Sequence, residues 1–599
     1  MERVADYIIA RLQQVKINTI FLITGRGILY LTDAVAKNQK IQGVSTYHEQ
    51  GASYAAMAYA AAKDGMGACL VSTGCAAANA VTAALCAWQD NLPCIFISGQ
   101  HMLHETTRYT GVPIRTYGSQ ETDIISIVKP VTKYAVMLTD PVEVAVEMDK
   151  AIFLANSGRK GPVWIDVPLD VQNRRVDSDA LKRWACLNDH DACPDIETAV
   201  QEVAAELQTA KRPLLFIGGG VRSAEAQWEV QKFVEKYNIP VVFSPSAADT
   251  YGSGNRLSIG AVGSLGGSRA GNFAVQNSNY LLVIGSKLCS QTIGAEAENF
   301  ARAAKIVVVD IDRNEHTKRG AKIDRVITAD AKHFMEKLNA CTLHIQCQDW
   351  AEKCLHWKET FSIAQEEFIK KCSGDNKVDL YYFANVLSDR LPEDATVITD
   401  AGFEELIIPS AIRCRADQRC LFPTSQGAMG YAIPAVIGAY YAGRKHIITV
   451  VGDGSVMMNI QELQTIRWHN IPAKIFVINN NMYAVIRKRQ RDLFRTRTIG
   501  NDPSDGLSMP DFRKIAMAFS IQYRQIRNTD ELDQTLDSVL AMDEPCICEV
   551  MCVEEQPYFH SSFAIDGNRK LVRRPIEDQS PFMDREKFLA EMIVEPIGQ

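Results

Sequence analysis

Residues 446–481 read HIITVVGDGSVMMNIQELQTIRWHNIPAKIFVINNN and contain two short apolar runs, each followed by small polar residues. The first run, HIITVV, precedes GDGS at 452–455, and the second, KIFVI, precedes NNN at 479–481. A segment with helical character around QELQTIRWH lies between the two runs. This order predicts a parallel strand–helix–strand unit, in which both strands end at the same edge of a sheet. Asp453 and Asn480 are therefore expected to meet at that edge.

The polar groups at this edge suit a metal ion and a diphosphate. A carboxylate and an amide oxygen are hard ligands suited to Mg²⁺, which often completes its octahedron with water and phosphate oxygens. Gly452, Gly454 and Ser455 allow backbone N–H groups and a hydroxyl to approach a diphosphate at a helix N-terminus. GDG alone can be an ordinary turn and NNN alone a loop, but both together, each after an apolar strand, predict such a site.

Apolar runs of strand length alternate with helical stretches through nearly the whole chain. Fully apolar strands are typical of parallel sheets covered on both faces, so we predict an α/β fold of doubly wound parallel sheets. A chain of 599 residues is long enough for three or four domains of about 150 residues each. Polar stretches at 174–196 and 340–378 are interpreted as linkers. The predicted units are a first domain (1–180), a central domain (190–345), a third domain (375–555) and a C-terminal tail (556–599) without strands.

Composition excludes several classes of function. A net charge of −7 argues against a nucleic-acid binder, which needs a concentrated basic face. We find no apolar stretch of about 18 residues, so no membrane span is predicted. The N-terminus, MERVADYIIARLQQV, is typical of an amphipathic helix and not of a secretory signal. The 16 cysteines are scattered without metal-ligand spacing, which favours reduced thiols and a cytoplasmic location.

The segment GDGSVMMNIQELQTIRWHNIPAKIFVINNNMYAVIRKRQ resembles the diphosphate-anchoring motif of thiamine-diphosphate enzymes. In its full length it is similar to the large subunit of acetohydroxyacid (acetolactate) synthase and its relatives. The resemblance implies thiamine diphosphate as a cofactor, with Mg²⁺ bound by Asp453, Asn480 and the backbone carbonyl of Met482. It runs from the first domain to about residue 555, so it does not rest on a single motif.

A second matching segment is GVSTYHEQ at 43–50, which ends a predicted strand and precedes the helix GASYAAMAYAAAK. A glutamate at such a position is ordinarily a capping or surface residue. The resemblance implies instead that Glu49 hydrogen-bonds the aminopyrimidine ring of the cofactor. A carboxylic acid there favours the imino tautomer, which removes the C2 proton of the thiazolium. A buried glutamate with a raised pKa suits that role.

A third matching segment is SQGAMGY at 425–431. The resemblance implies that the Gly427 carbonyl accepts a hydrogen bond from the cofactor's amino group and that Met429 supports the bent shape of the cofactor. The alternative for Met429 is ordinary core packing, which the adaptable methionine side chain also suits.

The resemblance extends to further residues and to the assembly. It implies that Gln120 lies near the reacting carbon, and that Asn79 and Asp400 are among the cofactor-binding residues. In the family the first domain of one subunit meets the third domain of another across the cofactor. A homodimer is therefore the expected minimum unit, and a homotetramer is the alternative.

The central domain carries glycine-rich runs that line up with the FAD-holding domain of acetohydroxyacid synthases. Glycines after strands permit the close approach of a dinucleotide. FAD in a structural role is therefore one expectation, although this domain is empty or binds other nucleotides in some relatives. The runs are GGG at 218–220, LGGSRAGN at 265–272, GSKLCSQTIG at 285–294 and DID at 310–312.

Two positions depart from the acetohydroxyacid synthase pattern. Gln291 stands where the synthases have an arginine that faces the carboxylate of the second substrate. Arg489 stands where they have a tryptophan that shapes the acceptor pocket. A carboxylate without its bidentate arginine partner binds poorly, which argues against a second pyruvate or 2-oxobutanoate as acceptor.

The run RKRQRDLFRTR at 487–497 holds six basic residues in eleven positions. One interpretation is a solvated basic loop. The other is an anion grip in which Arg487, Arg489 and Arg491 hold the diphosphate of a nucleotide-linked keto-sugar. TGRG at 24–27 and the stretch KLVRRPIEDQSPFMDREKF also resemble relatives that transfer an acetyl unit from pyruvate to such sugars.

The leading prediction is a carboligase that takes a two-carbon unit from pyruvate or another 2-oxo acid, with loss of CO₂, and joins it to a carbonyl acceptor. Two enzymatic alternatives are acetolactate synthase proper and the cleavage of a carbon–carbon bond in a diketone or acyloin. A third alternative is a non-catalytic regulatory paralogue. The joint presence of Glu49, Asp453 and Asn480 argues against the last.

Overall fold

A computed structural model describes residues 1–185, 195–366, 369, 377–415, 417–565 and 570–597. Three six-stranded parallel sheets with helices on their faces make up most of this part of the chain. The predicted doubly wound α/β fold is therefore confirmed. The predicted boundaries at 190 and 375 lie outside the described residues, and the domain limits stay predictions.

The first sheet lies within residues 2–176. Its strands are β1 (Glu2–Arg3), β2 (Thr19–Leu22), β3 (Gln42–Ser45), β4 (Gly67–Val71), β5 (Cys94–Gln100), β6 (Tyr134–Met137), β7 (Val163–Pro168) and β8 (Arg175–Val176). Six of them form a parallel sheet in the order β3-β2-β4-β5-β7-β6, and β1 pairs antiparallel with β8. The helices are α1 (Val4–Gln14), α2 (Leu29–Lys37), α3 (Glu49–Lys63), α4 (Cys75–Asn79), α5 (Val81–Asp90), α6 (Thr107–Thr110), α7 (Ile124–Val128), α8 (Val144–Asn156) and α9 (Leu169–Asn173).

The central sheet contains β9 (Pro213–Ile217), β10 (Val241–Phe243), β11 (Ser258–Ala261), β12 (Tyr280–Ile284), β13 (Lys305–Asp310) and β14 (Arg325–Thr328). Their order is β11-β10-β9-β12-β13-β14, the strand order of dinucleotide-binding sheets. The order reverses between β9 and β12, where such sheets bind ligands. The helices are α10 (Ile196–Thr209), α11 (Gly219–Ser223), α12 (Gln227–Tyr237), α13 (Arg269–Asn277), α14 (Ser290–Ile293), α15 (Ala331–Ala340) and α16 (Gln348–Thr360).

The third sheet contains β15 (Thr396–Thr399), β16 (Arg419–Leu421), β17 (Ile447–Gly452), β18 (Lys474–Asn479), β19 (Gln522–Ile526) and β20 (Cys546–Met551). Their order, β16-β15-β17-β18-β20-β19, repeats that of the first sheet. The helices are α17 (Leu380–Ser388), α18 (Phe403–Ala411), α19 (Ala432–Tyr441), α20 (Asp453–Val456), α21 (Glu462–Trp468), α22 (Ala484–Phe494), α23 (Phe512–Ala518) and α24 (Leu532–Leu540).

The first and third sheets share one hydrophobic core, because α3 packs along α19. Both helices are rich in small residues, and this lets their backbones come close together. A Cβ on Gly438 would lie only 2.1 Å from the carbonyl oxygen of Ala55. The start of α3, where Glu49 lies, is consequently held against the third domain of the same chain.

The tail was expected to lack strands, and this is wrong. It forms a short antiparallel pair, β21 (Phe563–Ile565) with β22 (Leu571–Arg573), before the final helix α25 (Arg585–Glu591). Three-residue strands are too short for an alternation of apolar and polar residues to be recognised. Among the described residues, no helix is both long and apolar enough to span a bilayer.

The run LGGSRAGN holds this tail in place. The buried guanidinium of Arg269 donates to the backbone carbonyls of Gln579 and Pro581. The Asn272 side-chain amide donates to the Ile576 carbonyl at 2.8 Å. The charged and amide groups of this run are therefore used to fasten the tail onto the central domain.

Candidate active site

The residues that follow β17 and β18 meet, because these two strands are neighbours in the sheet. Asp453 Oδ2 accepts hydrogen bonds from the backbone N–H groups of Asn480 at 3.1 Å and Asn481 at 2.7 Å. Its Oδ1 accepts from the Gly454 N–H at 2.7 Å. Asp453 is buried, and burial raises the pKa of its carboxyl to about 7. A cation bound at this point would offset the cost of the buried charge.

Asn480 offers an oxygen that the rest of the described chain does not use. Its Oδ1 is buried and has no hydrogen-bond partner among the described residues, an arrangement that is costly unless a ligand takes the oxygen. Met482, which follows, is buried as well. With the predicted Met482 carbonyl, the Asp453 carboxylate and the Asn480 amide oxygen would make an oxygen-only set of the kind that fits Mg²⁺. In the described ranges, no group of three or more His, Cys, Asp or Glu side chains could hold a metal ion.

Ser455 joins three segments of the third domain. Its hydroxyl donates to Asp400 Oδ2 at 2.6 Å and accepts from the Gly430 N–H at 2.8 Å. Asp400 Oδ2 also accepts from the Ala432 N–H at 3.1 Å. Asp400 is buried, and burial raises its pKa to about 7. The end of β15, the start of α20 and the loop before α19 are thereby fixed to one another.

The two glycines of the GDGS turn are closely covered. A Cβ on Gly454 would lie 2.0 Å from the Tyr483 ring, so this position admits only glycine. A Cβ on Gly452 would lie 3.4 Å from Glu404 Oε1. The turn is thus flanked by an aromatic ring on one side and by a carboxyl on the other.

Glu404 and Glu405, at the start of α18, are site residues that the sequence reasoning missed. Glu404 is buried beside the GDGS turn, and burial, followed by the nearby charge of Asp453, raises its pKa to about 8. Glu405 Oε2 would lie 2.3 Å from a Cβ on Gly427, and burial raises its pKa to about 8 as well. Acidic residues are ordinary in the first turn of a helix, so nothing in the sequence distinguished them.

Gly427 and Met429 lie in the loop 423–431. Gly427 has a φ of +52°, a left-handed conformation that favours glycine. Met429 is half-buried and does not belong to the described hydrophobic core clusters. The loop rests on the first domain of the same chain, because Asp90 Oδ1 accepts from the Ser425 N–H at 2.9 Å.

The first-sheet residues lie together at the edge formed by the ends of its strands. Glu49 is the first residue of α3. It is half-buried in the single chain, so it is less buried than the sequence predicts. Its Oε2 accepts a hydrogen bond from the Asn79 side-chain amide at 2.9 Å. Gln120 is exposed, and its carbonyl oxygen packs on Gly74 at the start of α4, the helix that ends with Asn79.

The basic run 487–497 begins as a helix, α22, so the interpretation as a loop is wrong for its first part. Arg487 and Arg491 lie one turn apart and both form ion pairs with Glu555, at 3.0 and 2.8 Å. Arg489 is exposed. Two of the three arginines are thus already paired with an acidic residue of the same chain, and the phosphate grip stays a prediction.

A cavity of about 850 Å³ opens where the strand order of the central sheet reverses. Its lining includes Gly219 after β9 and Gly285 and Lys287 after β12, together with Gln291 and Glu405. Lys287 Nζ donates to Ser425 Oγ at 2.8 Å. The cavity therefore extends from the central sheet to the loop that carries Gly427 and Met429.

Three segments match domain families of thiamine pyrophosphate enzymes. Residues 2–127 match the N-terminal TPP binding domain, 200–338 the central domain and 400–550 the C-terminal TPP binding domain. The chain therefore belongs to the thiamine pyrophosphate enzyme family.

Within that family the chain is similar to acetolactate synthases. It is 30% identical over 565 residues to the acetolactate synthase isozyme 1 large subunit of Escherichia coli (strain K12), which covers 93% of this chain and 95% of that protein. It is 29% identical over 548 residues to the large subunit of Parasynechococcus marenigrum (strain WH8102), covering 89% and 85%. It is 28% identical over 574 residues to the chloroplastic acetolactate synthase 3 of Brassica napus, covering 92% and 84%.

Proposed function

We propose that this chain is a thiamine-diphosphate- and Mg²⁺-dependent carboligase. It removes CO₂ from a 2-oxo acid such as pyruvate and joins the remaining two-carbon unit to a carbonyl acceptor. The observation that carries the proposal is the pair at the edge of the third sheet. Buried Asp453 there lies against the turn of Asn480, whose amide oxygen has no partner within the described chain.

Each residue has a defined task in this proposal. When bound, thiamine diphosphate would supply the nucleophilic carbon and the electron sink that decarboxylation needs. Asp453 and Asn480 hold the metal ion, together with the Met482 carbonyl. Glu49 holds and passes a proton at the ring nitrogen of the aminopyrimidine. The Gly427 carbonyl orients the amino group, and the half-buried Met429 supports the cofactor.

The active unit is proposed to be a dimer. Large side chains are exposed on the first domain: Tyr47, two residues before Glu49, is 61% exposed, and Tyr117, between α6 and α7, is 50% exposed. Others are exposed on α22, where Ile486 is 52% and Leu493 73% exposed. Exposed apolar surface on the first domain and on α22 of the third domain supports the burial of both surfaces against a second copy of the chain.

A dinucleotide, with FAD as the first candidate, is proposed for the central cavity. The supporting feature is the close crossing of two glycine turns at the reversal point. A Cβ on Gly218 would lie 2.3 Å from the Gly285 carbonyl oxygen. The absorption spectrum of purified protein, followed by identification of the released nucleotide, tests this assignment. A flavin spectrum supports FAD, and release of another nucleotide would replace it.

The acceptor is proposed to be a nucleotide-linked keto-sugar. Gln291, which stands in place of an arginine, disfavours a carboxylate acceptor. Arg489 is exposed and available for a phosphate. If alanine at Arg487, Arg489 and Arg491 together left acceptor affinity unchanged, the phosphate grip would be wrong. Alanine at the exposed Arg527, in the same domain, is the control for the loss of one positive charge, to be compared with Arg489→Ala alone.

The test of the reaction is CO₂ release from pyruvate by protein supplied with thiamine diphosphate and Mg²⁺, with and without a nucleotide-linked 4-keto-sugar. Release that rises with the sugar supports acetyl transfer from pyruvate. Release that rises with added pyruvate alone favours acetolactate formation. No release in either case would contradict pyruvate as the donor and favour another 2-oxo acid or carbon–carbon cleavage.

A further inference from the structure

Glu462, the first residue of α21, is completely buried although it carries a carboxyl group. Both of its oxygens have partners. Oε1 accepts hydrogen bonds from the backbone N–H groups of Tyr47 at 3.0 Å and His48 at 3.1 Å. Oε2 accepts from the Thr465 hydroxyl at 2.8 Å, which fixes the orientation of the carboxyl.

The two N–H groups belong to the turn that immediately precedes Glu49. The approach is so close that a Cβ on Gly51 would lie 2.5 Å from Glu462 Oε1, and glycine is needed there. A second hydrogen bond holds the same turn, because Gln50 Oε1 accepts from the Asn459 side-chain amide at 2.9 Å. The turn that carries Glu49 is therefore held in place by hydrogen bonds to Asn459 and Glu462, at the start of α21.

We infer that Glu462 is a positioning residue, which sets the place of the Glu49 carboxyl by holding the two backbone N–H groups before it. The inference rests on the proposed role of Glu49. A carboxylate is a stronger acceptor for N–H groups than a neutral oxygen. Proton transfer requires correct heavy-atom geometry, and a misplacement of about 1 Å can cost about 100-fold in rate. Glu462 thus acts through Glu49 and does not touch the cofactor.

The test measures hydrogen–deuterium exchange at C2 of bound thiamine diphosphate, which reports the proton transfer that Glu49 supports. In Glu462→Ala we expect exchange to slow by about 10- to 100-fold because the turn is released. Binding of thiamine diphosphate and Mg²⁺ should change by less than about 3-fold, because the Asp453 edge is untouched. Glu462→Gln keeps an acceptor oxygen for both N–H groups and should restore most of the exchange rate.

A double-mutant cycle separates this role from a merely structural one. If Glu462 acts through Glu49, the effect of Glu462→Ala on exchange disappears in the Glu49→Gln background. Glu586→Ala, at an exposed position in the first turn of α25, is the matched control and should leave exchange unchanged. Unchanged exchange in Glu462→Ala, or an equal loss in both backgrounds, would overturn the inference.

A milder variant keeps the test valid if Glu462→Ala does not fold. Thr465→Val removes only the bond to Oε2 and should slow exchange by about 3- to 10-fold, again only when Glu49 is present. Wild-type protein that binds the cofactor but shows no Glu49-dependent exchange would refute the proposed role of Glu49 itself. Glu49-dependent exchange that is insensitive to Glu462 and Thr465 would refute only the positioning role.

Discussion

The first and third sheets have the same strand order but present different chemistry at their edges. In the third sheet, Asp453 and Asn480 follow neighbouring strands, and the Asp453 carboxylate accepts a hydrogen bond from the Asn480 N–H. In the first sheet a single carboxylate, Glu49, starts helix α3 after β3, and the Asn79 amide donates a hydrogen bond to it. One scaffold therefore supports an edge suited to a metal ion and an edge suited to proton transfer.

The two edges also differ in how deeply their polar groups are buried within one chain. The Asp453 edge is closed by buried groups such as Asp400 and Ser455. The Glu49 edge is half-open: Glu49 is half-buried, and Tyr47, two residues before it, is exposed. This contrast is consistent with the proposal that the third sheet brings a preformed anchor and that a second chain completes the site to which the first sheet supplies Glu49.

The largest effect is expected from Asp453→Ala. Removing one partner of a buried charge pair costs about 3 kcal/mol or more, roughly a 100-fold loss of affinity. Thiamine diphosphate binding should therefore lose its Mg²⁺ dependence, and turnover should fall to background. Calorimetric titration of the cofactor with and without Mg²⁺ measures this. Asp530→Asn, at an exposed carboxylate of the same domain, is the control; Mg²⁺-dependent binding retained by Asp453→Ala would contradict the anchor.

Glu49→Gln should affect the rate and spare binding. General acid–base catalysis contributes about 10²- to 10⁴-fold, so turnover should fall by that factor. Cofactor affinity should change little, because the anchor lies on the other sheet. Turnover and cofactor affinity measured on the same protein show whether only the rate falls. Glu143→Gln, at an exposed position of the first domain, is the control. Turnover at the wild-type rate would remove Glu49 from its role.

Ser455→Ala tests whether the anchor is held by its internal bonds. The change leaves the Gly430 N–H without its acceptor and Asp400 without one donor. We expect the free energy of unfolding to fall by about 1–3 kcal/mol. Denaturant titration measures it, and Ser410→Ala, whose hydroxyl bonds only to carbonyls of its own helix, should cost less. Equal losses in the two variants would argue against a special role for Ser455.

The smallest effect on turnover is expected from Asp166→Asn. Asp166 is a buried carboxyl of the first sheet, and the proposed reaction assigns it no task. Burial raises its pKa from 3.8 to about 7. The folded protein therefore holds a proton that the unfolded chain has released, and this contribution to stability falls as pH rises from about 4 to about 7. Thermal unfolding across that range should show a flatter profile in the variant, with turnover nearly unchanged. Parallel profiles in variant and wild type would contradict the assignment.

The strands of the sheets were predictable because buried parallel strands are continuous apolar runs. HIITVV and KIFVI correspond to β17 and β18, and the residues after them meet because these strands are neighbours. The roles of Glu49, Gly427 and Met429 depended on resemblance, because a glutamate at a helix start or a methionine in a loop has no distinctive pattern.

Other features depended on contacts distant in sequence. Glu462 reaches Tyr47 across most of the chain, and no local pattern reports such a contact. Glu404 is buried and Glu405 half-buried by the fold around them, although their positions in a first helical turn are ordinary. Arg487 and Arg491 share Glu555 because helical periodicity brings them to one face, which an interpretation as a loop could not foresee.

A site shared between two subunits is tested most directly by CO₂ release from a mixed dimer of one Glu49→Gln and one Asp453→Ala subunit, isolated through two different affinity tags. If each site combines the first sheet of one subunit with the third sheet of the other, one of the two sites is intact. We expect about half of the wild-type rate per dimer, although dimers of either variant alone should turn over at least about 100-fold more slowly than wild type. A folded mixed dimer that binds the cofactor but stays inactive would contradict the shared site.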